Sequence, residues 1–415
     1  MRNSTPRPFD PLATRLGCCA VASITPEDQH HIHTYYDVCP WSPSGRYLLA
    51  LRLPFVDRRN GPEDPAELCL FDLAGRTVRP LWQTTAWGLQ TGAHARWGSS
   101  DRHVYFNDRR DGKPVGVRLD TETGQARHYD GTVWLIDPGE TFAVSPCLVR
   151  CNLTQFGYGM SVAAGGQIVN LEQAAEDDGF YRTDLASGGV TLLVSLADVR
   201  RVLPQNALAG STLYAFHCKL NAQGTRLLLV VRAWHPDRRY RPALLTCRAD
   251  GSELRCVLTS EQWLAGAGSG HPTWHPDGTV ILMNHAAGGS VRKFCLIDPD
   301  SGQARAILNE PPGTGHPTIS ANGQWLLTDV NSTMDRRRPA TIRLIDLFQR
   351  TCRHLARVDN PLFEDEPLRC DAHPVWDRRG RLICFQGMPG VGRQLFVADP
   401  ARPPGEMPSL DPQQG

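Results

Sequence analysis

The chain has no long apolar run and no strong excess of charge of either sign. No stretch approaches the roughly 18 consecutive apolar residues that a membrane-spanning helix needs, and residues 1–29 carry charge and proline where a signal peptide has a continuous apolar segment. The 44 basic and 43 acidic residues leave a net charge of +1, without a dense basic stripe. These absences argue against membrane and nucleic-acid partners and predict a cytoplasmic protein that is not exported.

Paired cysteine motifs and the common hydrolase motifs are also missing. The 13 cysteines are an odd number and none falls in a CxxC pair, which favours reduced, buried thiols in a reducing compartment. GxSxG and HExxH, the local signatures of a serine nucleophile elbow and a zinc peptidase, do not occur. The sequence therefore gives little support to a peptidase or another hydrolase.

What the chain does have is a repeat of roughly fifty residues, each unit being a pair of apolar strands joined by a tight turn. A third strand follows in each unit and ends at an aspartate, for example Asp72, Asp120 or Asp298, and a fourth short strand follows most of these. The seven turns between first and second strands are residues 42–45, 99–102, 136–140, 221–224, 275–278, 320–323 and 377–380.

Small sheets that recur at a fixed period and stack on their neighbours are typical of a β-propeller. The sequence predicts an all-β fold, a seven-bladed β-propeller of four-stranded antiparallel blades, with residues 1–399 as one domain. The last unit lacks a fourth strand because residues 400–415 form a proline-rich tail, which we expect on the surface. We expect the apolar residues 17–24 to close the ring as that strand, because an open ring would leave an unpaired sheet edge.

One unit is irregular. Residues 151–179 separate its second and third strands, without a strand period and with many glycines and acidic residues. Long excursions from compact domains often cover a functional face. The segment is either a lid or cleft wall, or an inert surface loop.

Five units carry a histidine at the beginning of the first strand, and first strands line the central channel of a propeller. Hairpin pairing should bring a residue of the second strand back to each histidine. The histidines are His94, His217, His271, His316 and His373, and the residues expected beside them are Asn107, Arg232, His285, Asp329 and Gln386.

Imidazoles from neighbouring blades at one mouth would suit a divalent metal, zinc or manganese. His217, His271 and His285 are the tightest candidate set of ligands, and His316 and His373 are further candidates. The alternative is that these histidines only hydrogen-bond to neighbouring backbone and tie the blades together.

A second group suits acid–base chemistry. His94 and Asn107 belong to the second unit, whereas Tyr158 and Arg182 lie in or after the long segment of the third. A histidine or tyrosine near an arginine can remove a proton from carbon while the cation holds a carboxylate. The alternative is a core tyrosine with a satisfied hydroxyl and an arginine that is an ordinary surface charge.

The ordered series of motifs resembles the seven-bladed oligogalacturonate lyase and ulvan lyase group of polysaccharide lyases, from Tyr35 to Asp399. The resemblance implies β-elimination on an anionic, uronate-containing oligosaccharide, with a metal or arginine against the carboxylate. The motifs are YYDVCPWSPSGRYLLALR, GAHARW with HVYFND, DDGFYRTDL, HCKLNAQGTRLLLVVRAW, GHPTWHPDG, GHPTISANGQWLLTD and AHPVWDRRG.

By this resemblance His94 is a catalytic histidine, Tyr158 the acid or base, and Arg182 the partner of the carboxylate, while His217, His271 and His285 are metal ligands. Two features depart from the pattern. Cys370 and Val375 stand where oligogalacturonate lyases place further ligands around the last-blade histidine, and no second histidine follows His94 where ulvan lyases carry one. The alternative function is a non-enzymatic, TolB-like propeller that binds a protein or another ligand at its mouth, and the oligomeric state is open.

Overall fold

A computed structural model describes residues 5–161, 175–204, 210–234, 240–330 and 339–411. The first described strands are β1 (Arg7–Pro8), β2 (Leu12–Thr14), β3 (Ala20–Ser23), β4 (His30–Ile32), β5 (Tyr47–Leu53), β6 (Ala66–Asp72), β7 (Thr77–Thr84), β8 (Arg96–Trp97), β9 (His103–Arg110) and β10 (Lys113–Asp120). The next are β11 (Ala126–Tyr129), β12 (Leu135–Ile136), β13 (Phe142–Pro146), β14 (Gly179–Asp184), β15 (Val190–Ser195), β16 (Thr212–Leu220), β17 (Arg226–Trp234), β18 (Tyr240–Arg248), β19 (Arg255–Leu258) and β20 (Ser269–Trp274). The last are β21 (Ile281–His285), β22 (Lys293–Ile297), β23 (Ala304–Ala306), β24 (Thr318–Ile319), β25 (Trp325–Val330), β26 (Ala340–Asp346), β27 (Thr351–Val358), β28 (Val375–Trp376), β29 (Ile383–Gly387) and β30 (Gln394–Asp399).

The strands form seven antiparallel sheets arranged in a ring, which confirms the predicted seven-bladed β-propeller. Blade 1 contains β4 to β7 with β1 added outside, and blades 2 to 6 contain β8 to β11, β12 to β15, β16 to β19, β20 to β23 and β24 to β27 in order. Blade 7 contains β28, β29 and β30, then β3 and β2. Helices are short and lie between strands: α1 (Leu148–Thr154), α2 (Leu196–Val202), α3 (Ser260–Leu264) and a 3₁₀ turn (Glu366–Leu368).

The N-terminal segment closes the ring, as the apolar run at residues 17–24 predicts. In β3, Val21 pairs with Ala398 and Ala22 with Val397 of β30, and both β3 residues are fully buried. β2 then pairs on the outer side of β3. The tail that follows β30 is exposed over residues 401–406, but Leu410 returns to the apolar core.

This closure makes a testable prediction about stability. Val21→Ala should lower the free energy of unfolding by about 2 kcal/mol, because it removes two buried methyl groups from the contact between the two ends of the chain. Chemical denaturation followed by circular dichroism measures the change. Leu12→Ala, on the neighbouring strand where the side chain is 66% exposed, is the matched control and should change stability by less than about 0.5 kcal/mol. Equal effects of the two substitutions would contradict closure by β3.

The tight turns follow from their residues. In the turn at residues 275–278, Gly278 has a φ of 70°, a left-handed conformation that glycine adopts without strain. In the next turn of that blade, the Asp298 carboxylate accepts hydrogen bonds from the backbone N–H groups of Asp300 and Ser301. Aspartate and glycine therefore mark the turns in the sequence because they stabilise these backbone conformations.

The innermost strand of each blade runs along the central axis in the same direction. We call the face where these strands begin the upper face, and the face where they turn into the second strands the lower face. The connections between blades, and helices α1, α2 and α3, lie at the upper face. Residues of one innermost strand thus reach both ends of the channel.

The irregular segment of blade 3 is packed against the propeller where it is described. Cys151 in α1, Tyr158 and Met160 are buried. Residues 162–174 of the predicted lid or loop lie outside the described residues, so this expectation stays a prediction. No helix in the described part of the chain has the length and apolar character needed to cross a membrane.

Candidate functional site at the upper end of the channel

Three of the five predicted histidines, His217, His316 and His373, pack against Tyr35, which follows innermost strand β4, and a fourth, His271, packs against His316. The ring centroid of Tyr35 lies 4.5 Å from that of His373 and 5.4 Å from that of His217. The His316 ring lies 4.4 Å from His373 and 4.1 Å from His271. Histidines that are far apart in sequence therefore meet at one place, as the propeller geometry requires.

Three of the five histidines have a left-handed backbone. The φ angles of His94, His271 and His373 are 56°, 55° and 44°, in a region that residues other than glycine rarely adopt. Such strain persists only where the surrounding structure enforces it, and it is concentrated at functional sites. The repetition at the equivalent position of three blades shows that the conformation belongs to the repeat itself.

The second strand places a polar side chain beside each of four histidines, thirteen residues after it in the sequence. Asp329 Oδ1 lies 3.0 Å from His316 Nδ1, and Gln386 Nε2 lies 3.0 Å from His373 Nδ1. These two side chains fix the orientation of their rings. The positions in the other two blades are Asn107 and Asn284.

The two asparagines bind backbone instead. Asn107 Nδ2 donates to the carbonyl of Val133, at 2.7 Å, and the Asn107 oxygen accepts from Val133 N–H. Asn284 Nδ2 donates to the Gly315 carbonyl at 2.8 Å. Both residues tie one blade to the next, and a catalytic role for Asn107 stays a prediction.

His285 does not take the place beside His271 that the sequence analysis expected. It pairs with Ser269 in the hairpin, and its Nδ1 lies 2.7 Å from Ser269 Oγ. Asn284 holds the equivalent position, and neighbouring residues of a strand point to opposite faces. The structure therefore does not bring His217, His271 and His285 together as one ligand set.

A different group has the dimensions of a metal site. His316, Asp371 and His373 are buried, and one possible ligand atom from each lies within 4.8 Å of the others. Among the described residues, this is the one group of three or more possible metal ligands that lie so close together. Its members come from the innermost strand of blade 6 and from the loop that leads into blade 7. Sequence reasoning identified His316 and His373 but missed Asp371, two residues before His373.

The hydrogen bonds around this group suit a metal. Asp329 accepts from Nδ1–H of His316, so Nε2 of that ring keeps its lone pair for a ligand bond, and the Gln386 side chain holds the His373 ring at Nδ1. The buried Nε2 of His373 has no hydrogen-bond partner. A carboxylate or amide that fixes the tautomer of a ligating histidine is the usual outer shell of a metal centre. The residues present therefore fit a divalent cation.

His271 differs from the other four histidines because it is partly exposed, whereas the others are buried. Its Nδ1 has no hydrogen-bond partner. Burial, followed by the charge of His316 and of nearby cations including Arg232, lowers its pKa well below the usual value. His271 is thus a neutral imidazole whose side chain is partly exposed, while its Nδ1 is buried.

His94 is held differently. Its Nε2 lies 3.2 Å from the Tyr158 carbonyl, so Nε2–H donates to that oxygen, and its ring packs on Trp134 with centroids 4.3 Å apart. Burial lowers its pKa to about 3. The structure thus places His94 beside Tyr158, as predicted, but in contact with its backbone. Its catalytic role stays a prediction.

The cation at Tyr158 is Arg369. Arg369 Nη2 donates to the Tyr158 hydroxyl at 2.7 Å, and Arg369 Nε donates to Asp371 at 2.9 Å. The predicted partner, Arg182, lies on the third strand of blade 3 with its guanidinium 4.3 Å from the centroid of the Phe142 ring. The structure therefore does not bring Arg182 to this hydroxyl, and sequence reasoning missed Arg369, which lies in an irregular loop.

Fold and site together define a seven-bladed β-propeller whose upper mouth holds a histidine cluster with the dimensions of a metal centre. Among solved structures, the chain is similar to an oligogalacturonate lyase in complex with manganese, with 17% identity, a TM-score of 0.69, and coverage of 96% of this chain and 98% of that chain. It is also similar to an oligogalacturonate lyase from Vibrio parahaemolyticus, with 13% identity, a TM-score of 0.66, and coverage of 95% and 97%.

These similarities confirm the resemblance drawn from the sequence motifs and extend it over nearly the whole of both chains. At such low identity they establish that the protein has the fold of the oligogalacturonate lyases. No protein-family model matches the chain, and no curated protein does. The chemistry must therefore be argued from the residues at the mouth.

Proposed function

We propose that this protein is a lyase that cleaves a uronate-containing oligosaccharide by β-elimination at the upper mouth of the channel. The observation that carries the proposal is the position of His271. It is a neutral, partly exposed imidazole whose ring centroid lies 4.1 Å from that of the buried His316 of the metal-sized group. A base beside a cationic centre is the arrangement that this reaction needs.

The reaction removes the proton on C5 of a uronic acid, and this proton is weakly acidic while the neighbouring carboxylate carries its full charge. Positive charge against the carboxylate stabilises the anion that develops as the proton leaves. His316, Asp371 and His373 would hold the metal, and a bound divalent cation would supply this charge as a Lewis acid. The manganese in one structure with the same fold supports manganese or zinc as the ion.

The protein side chains divide the proton transfers between them. The His271 imidazole accepts the C5 proton, and the electrons of the C5–H bond form the C4–C5 double bond as the bond from C4 to the glycosidic oxygen breaks. Tyr158 donates a proton to that oxygen. Burial raises the pKa of Tyr158, which keeps it protonated, and the bond from Arg369 leaves the phenolic proton free to be donated.

Arg232 is the second cation of this mouth. It lies on the second strand of blade 4, its guanidinium is 3.9 Å from the centroid of Phe216, and its Nη1 donates to the Gln155 side chain. Its buried Nε has no hydrogen-bond partner. Arg232 and Arg369 are therefore the arginines that the proposal assigns to the acidic groups of the oligosaccharide, instead of Arg182.

The test of the proposal is the appearance of the conjugated double bond of the unsaturated uronate, followed by ultraviolet absorbance. The metal-loaded protein is incubated separately with oligogalacturonate, ulvan and glycosaminoglycan fragments, with manganese and with zinc. An absorbance increase with one glycan, matched by new reducing ends in the same amount, is the expected result. If folded, metal-loaded protein gives no absorbance increase with any of these glycans, the lyase proposal is wrong.

Metal binding by variants distinguishes the ligand set found in the structure, which includes Asp371 and His373, from the set predicted from the sequence, which includes His285. Asp371→Asn and His373→Gln should each weaken binding of Mn²⁺ or Zn²⁺ at least about tenfold, because each removes or weakens a ligand. His285→Gln is the matched control and should leave binding unchanged, since His285 is bonded to Ser269. Calorimetric titration of the metal-free proteins measures the three affinities. Loss of binding in the His285 variant alone would restore the ligand set predicted from the sequence.

A further inference from the structure

The lower part of the channel contains a cavity of about 260 Å³. Its walls come from the innermost strands of blades 1 to 5, and its lower end is formed by turn residues such as Ala222 and His275. Strand β20 shows the distance from the upper mouth: His271 lies near its start and Trp274 at its end, about 10 Å further along the axis. The ring of Tyr35 lines this cavity and also packs against His373 and His217.

One cation in the cavity is already neutralised. Lys219 Nζ lies 3.0 Å from the Asp37 carboxylate and 2.8 Å from the Tyr36 hydroxyl, to which it donates. Lys219 and Asp37 thus form a buried ion pair whose charges are satisfied by each other. They leave little charge for a ligand.

Arg96 is the cation without a carboxylate. Its Nη2 donates to the backbone carbonyl of Trp134, and its buried Nε has no hydrogen-bond partner. Among the described residues no carboxylate lies within ion-pair distance of its guanidinium. Burial lowers the pKa of Arg96 to about 10, although the charge of Asp37 acts in the opposite direction, and the charge of Arg378 adds to the lowering. A guanidinium in this position is stabilised by an anion that enters the cavity.

The surroundings leave a positive balance around Arg96. An adjoining cavity of about 490 Å³ shares Asp37 and Arg96 with the first and adds Arg378 and Asp137. The Asp137 carboxylate already accepts hydrogen bonds from the backbone N–H groups of residues 139, 141 and 142. Three cations therefore face two occupied carboxylates, and the remaining ionisable groups of the walls are His94, His275, Cys39, Cys218 and Tyr35.

We propose that the lower end of the channel is a second ligand site, which binds a small carboxylate such as a single sugar acid, with the carboxylate on Arg96. A guanidinium fork matches the two oxygens of a carboxylate. The indoles of Trp134 and Trp274 line the same cavity and offer apolar faces to the rest of the ligand, as in most small-molecule pockets. The net charge of the walls suits a monoanion. The lining of this cavity includes Tyr35 and His94 but none of His271, Tyr158 and the metal-sized group.

Calorimetric titration with sodium galacturonate tests the site, with acetate, galactose and inorganic phosphate as further probes. We expect galacturonate to bind to the full-length protein, acetate to bind more weakly, and galactose, which lacks the carboxylate, to bind at least about tenfold more weakly than galacturonate. Arg96→Gln should weaken galacturonate binding at least about tenfold. Arg102→Gln is the matched control on the same blade, since Arg102 is exposed and paired with Asp120.

Two further variants test whether galacturonate binds at the lower site and not at the upper mouth, and whether a loss of binding has a cause other than misfolding. His271→Ala should leave galacturonate binding at the lower site unchanged, whereas Ala222→Phe, at an exposed turn position that lines the cavity, should block it without altering the core. Equal binding in the parent and in both the Arg96 and Ala222 variants would overturn the proposal. So would binding of phosphate in preference to galacturonate, loss of binding in the His271 variant alone, or no binding at tens of millimolar.

Discussion

His271→Ala is expected to lower kcat for β-elimination by about 10²- to 10⁴-fold, the usual contribution of a positioned general base. The substitution removes the partly exposed His271 imidazole, while His316, Asp371 and His373 remain. Metal binding should therefore be retained, and KM should change less than kcat. Absorbance of the unsaturated product, measured with the glycan that the parent protein cleaves, gives both constants.

Two other histidine variants make this result specific. His128→Ala, on the outer strand of blade 2 with an exposed side chain, is the matched control and should keep the activity of the parent. His94→Gln tests the role that the family resemblance gives to His94. If the His94 variant loses activity as the general base would, while the His271 variant keeps it, the assignment made from the sequence is right and the one proposed from the structure is wrong.

The repeat of turns and apolar strands was enough to predict the fold, because each blade is specified locally. Aspartate and glycine determine the turns, and alternate apolar residues determine which face of each strand is buried. Ring closure was predictable for a related reason. The last unit has no fourth strand, and the proline-rich tail after Asp399 cannot supply one, so residues 17–24 were the available apolar segment.

The site was predictable where it depends on the repeat. His316 and Asp329, or His373 and Gln386, are brought together by hairpin register, which can be counted from the turn. In the ladder of blade 5, Asn284 stands opposite Gly270 and His285 opposite Ser269, with a shift of register between Gly270 and Thr273. The expectation that His285 returns close to His271 came from counting outward from the turn, and such a count does not show this irregularity. A strand directs adjacent side chains to opposite faces, and this geometric rule decides against His285.

The rest of the site depends on loops, which no count from a turn can position. Asp371 and Arg369 lie in the connection between blades 6 and 7, and Tyr158 lies in the irregular segment of blade 3. Their meeting point is set by how two loops pack over the upper face. A tyrosine and an arginine that are far apart in sequence carry no signal of that contact, which is why Arg182 was chosen in place of Arg369.

The free energy of unfolding is expected to fall steeply as the pH drops below about 6.5. Burial lowers the pKa of His31, His33 and His94 to about 3 in the folded protein, whereas an unfolded chain binds a proton on each at its ordinary pKa of about 6.5. Between these two values the unfolded state holds more protons than the folded state. These histidines therefore leave the free energy of unfolding unreduced above the unfolded pKa of about 6.5, and the free energy falls progressively as the pH drops toward 3.

The size of the effect follows from the number of such histidines. Each contributes up to about 1.4 kcal/mol per pH unit over this interval, and a domain is stable by only about 5 to 15 kcal/mol. Three histidines alone would remove a large part of this stability within two pH units. Urea denaturation followed by circular dichroism, at pH values from 8 to 4, measures the dependence.

His31→Gln isolates one of these groups away from the metal-sized cluster. His31 is buried with its ring 5.7 Å from that of Phe71, and its Nδ1 has no partner. The variant should have a shallower pH dependence, by up to about 1.4 kcal/mol per pH unit, so that its stability relative to the parent improves as the pH falls. His128→Gln, at an exposed site, should follow the parent. Parallel curves for all three proteins would contradict this prediction, because they would mean that the His31 ring is solvated in the folded state.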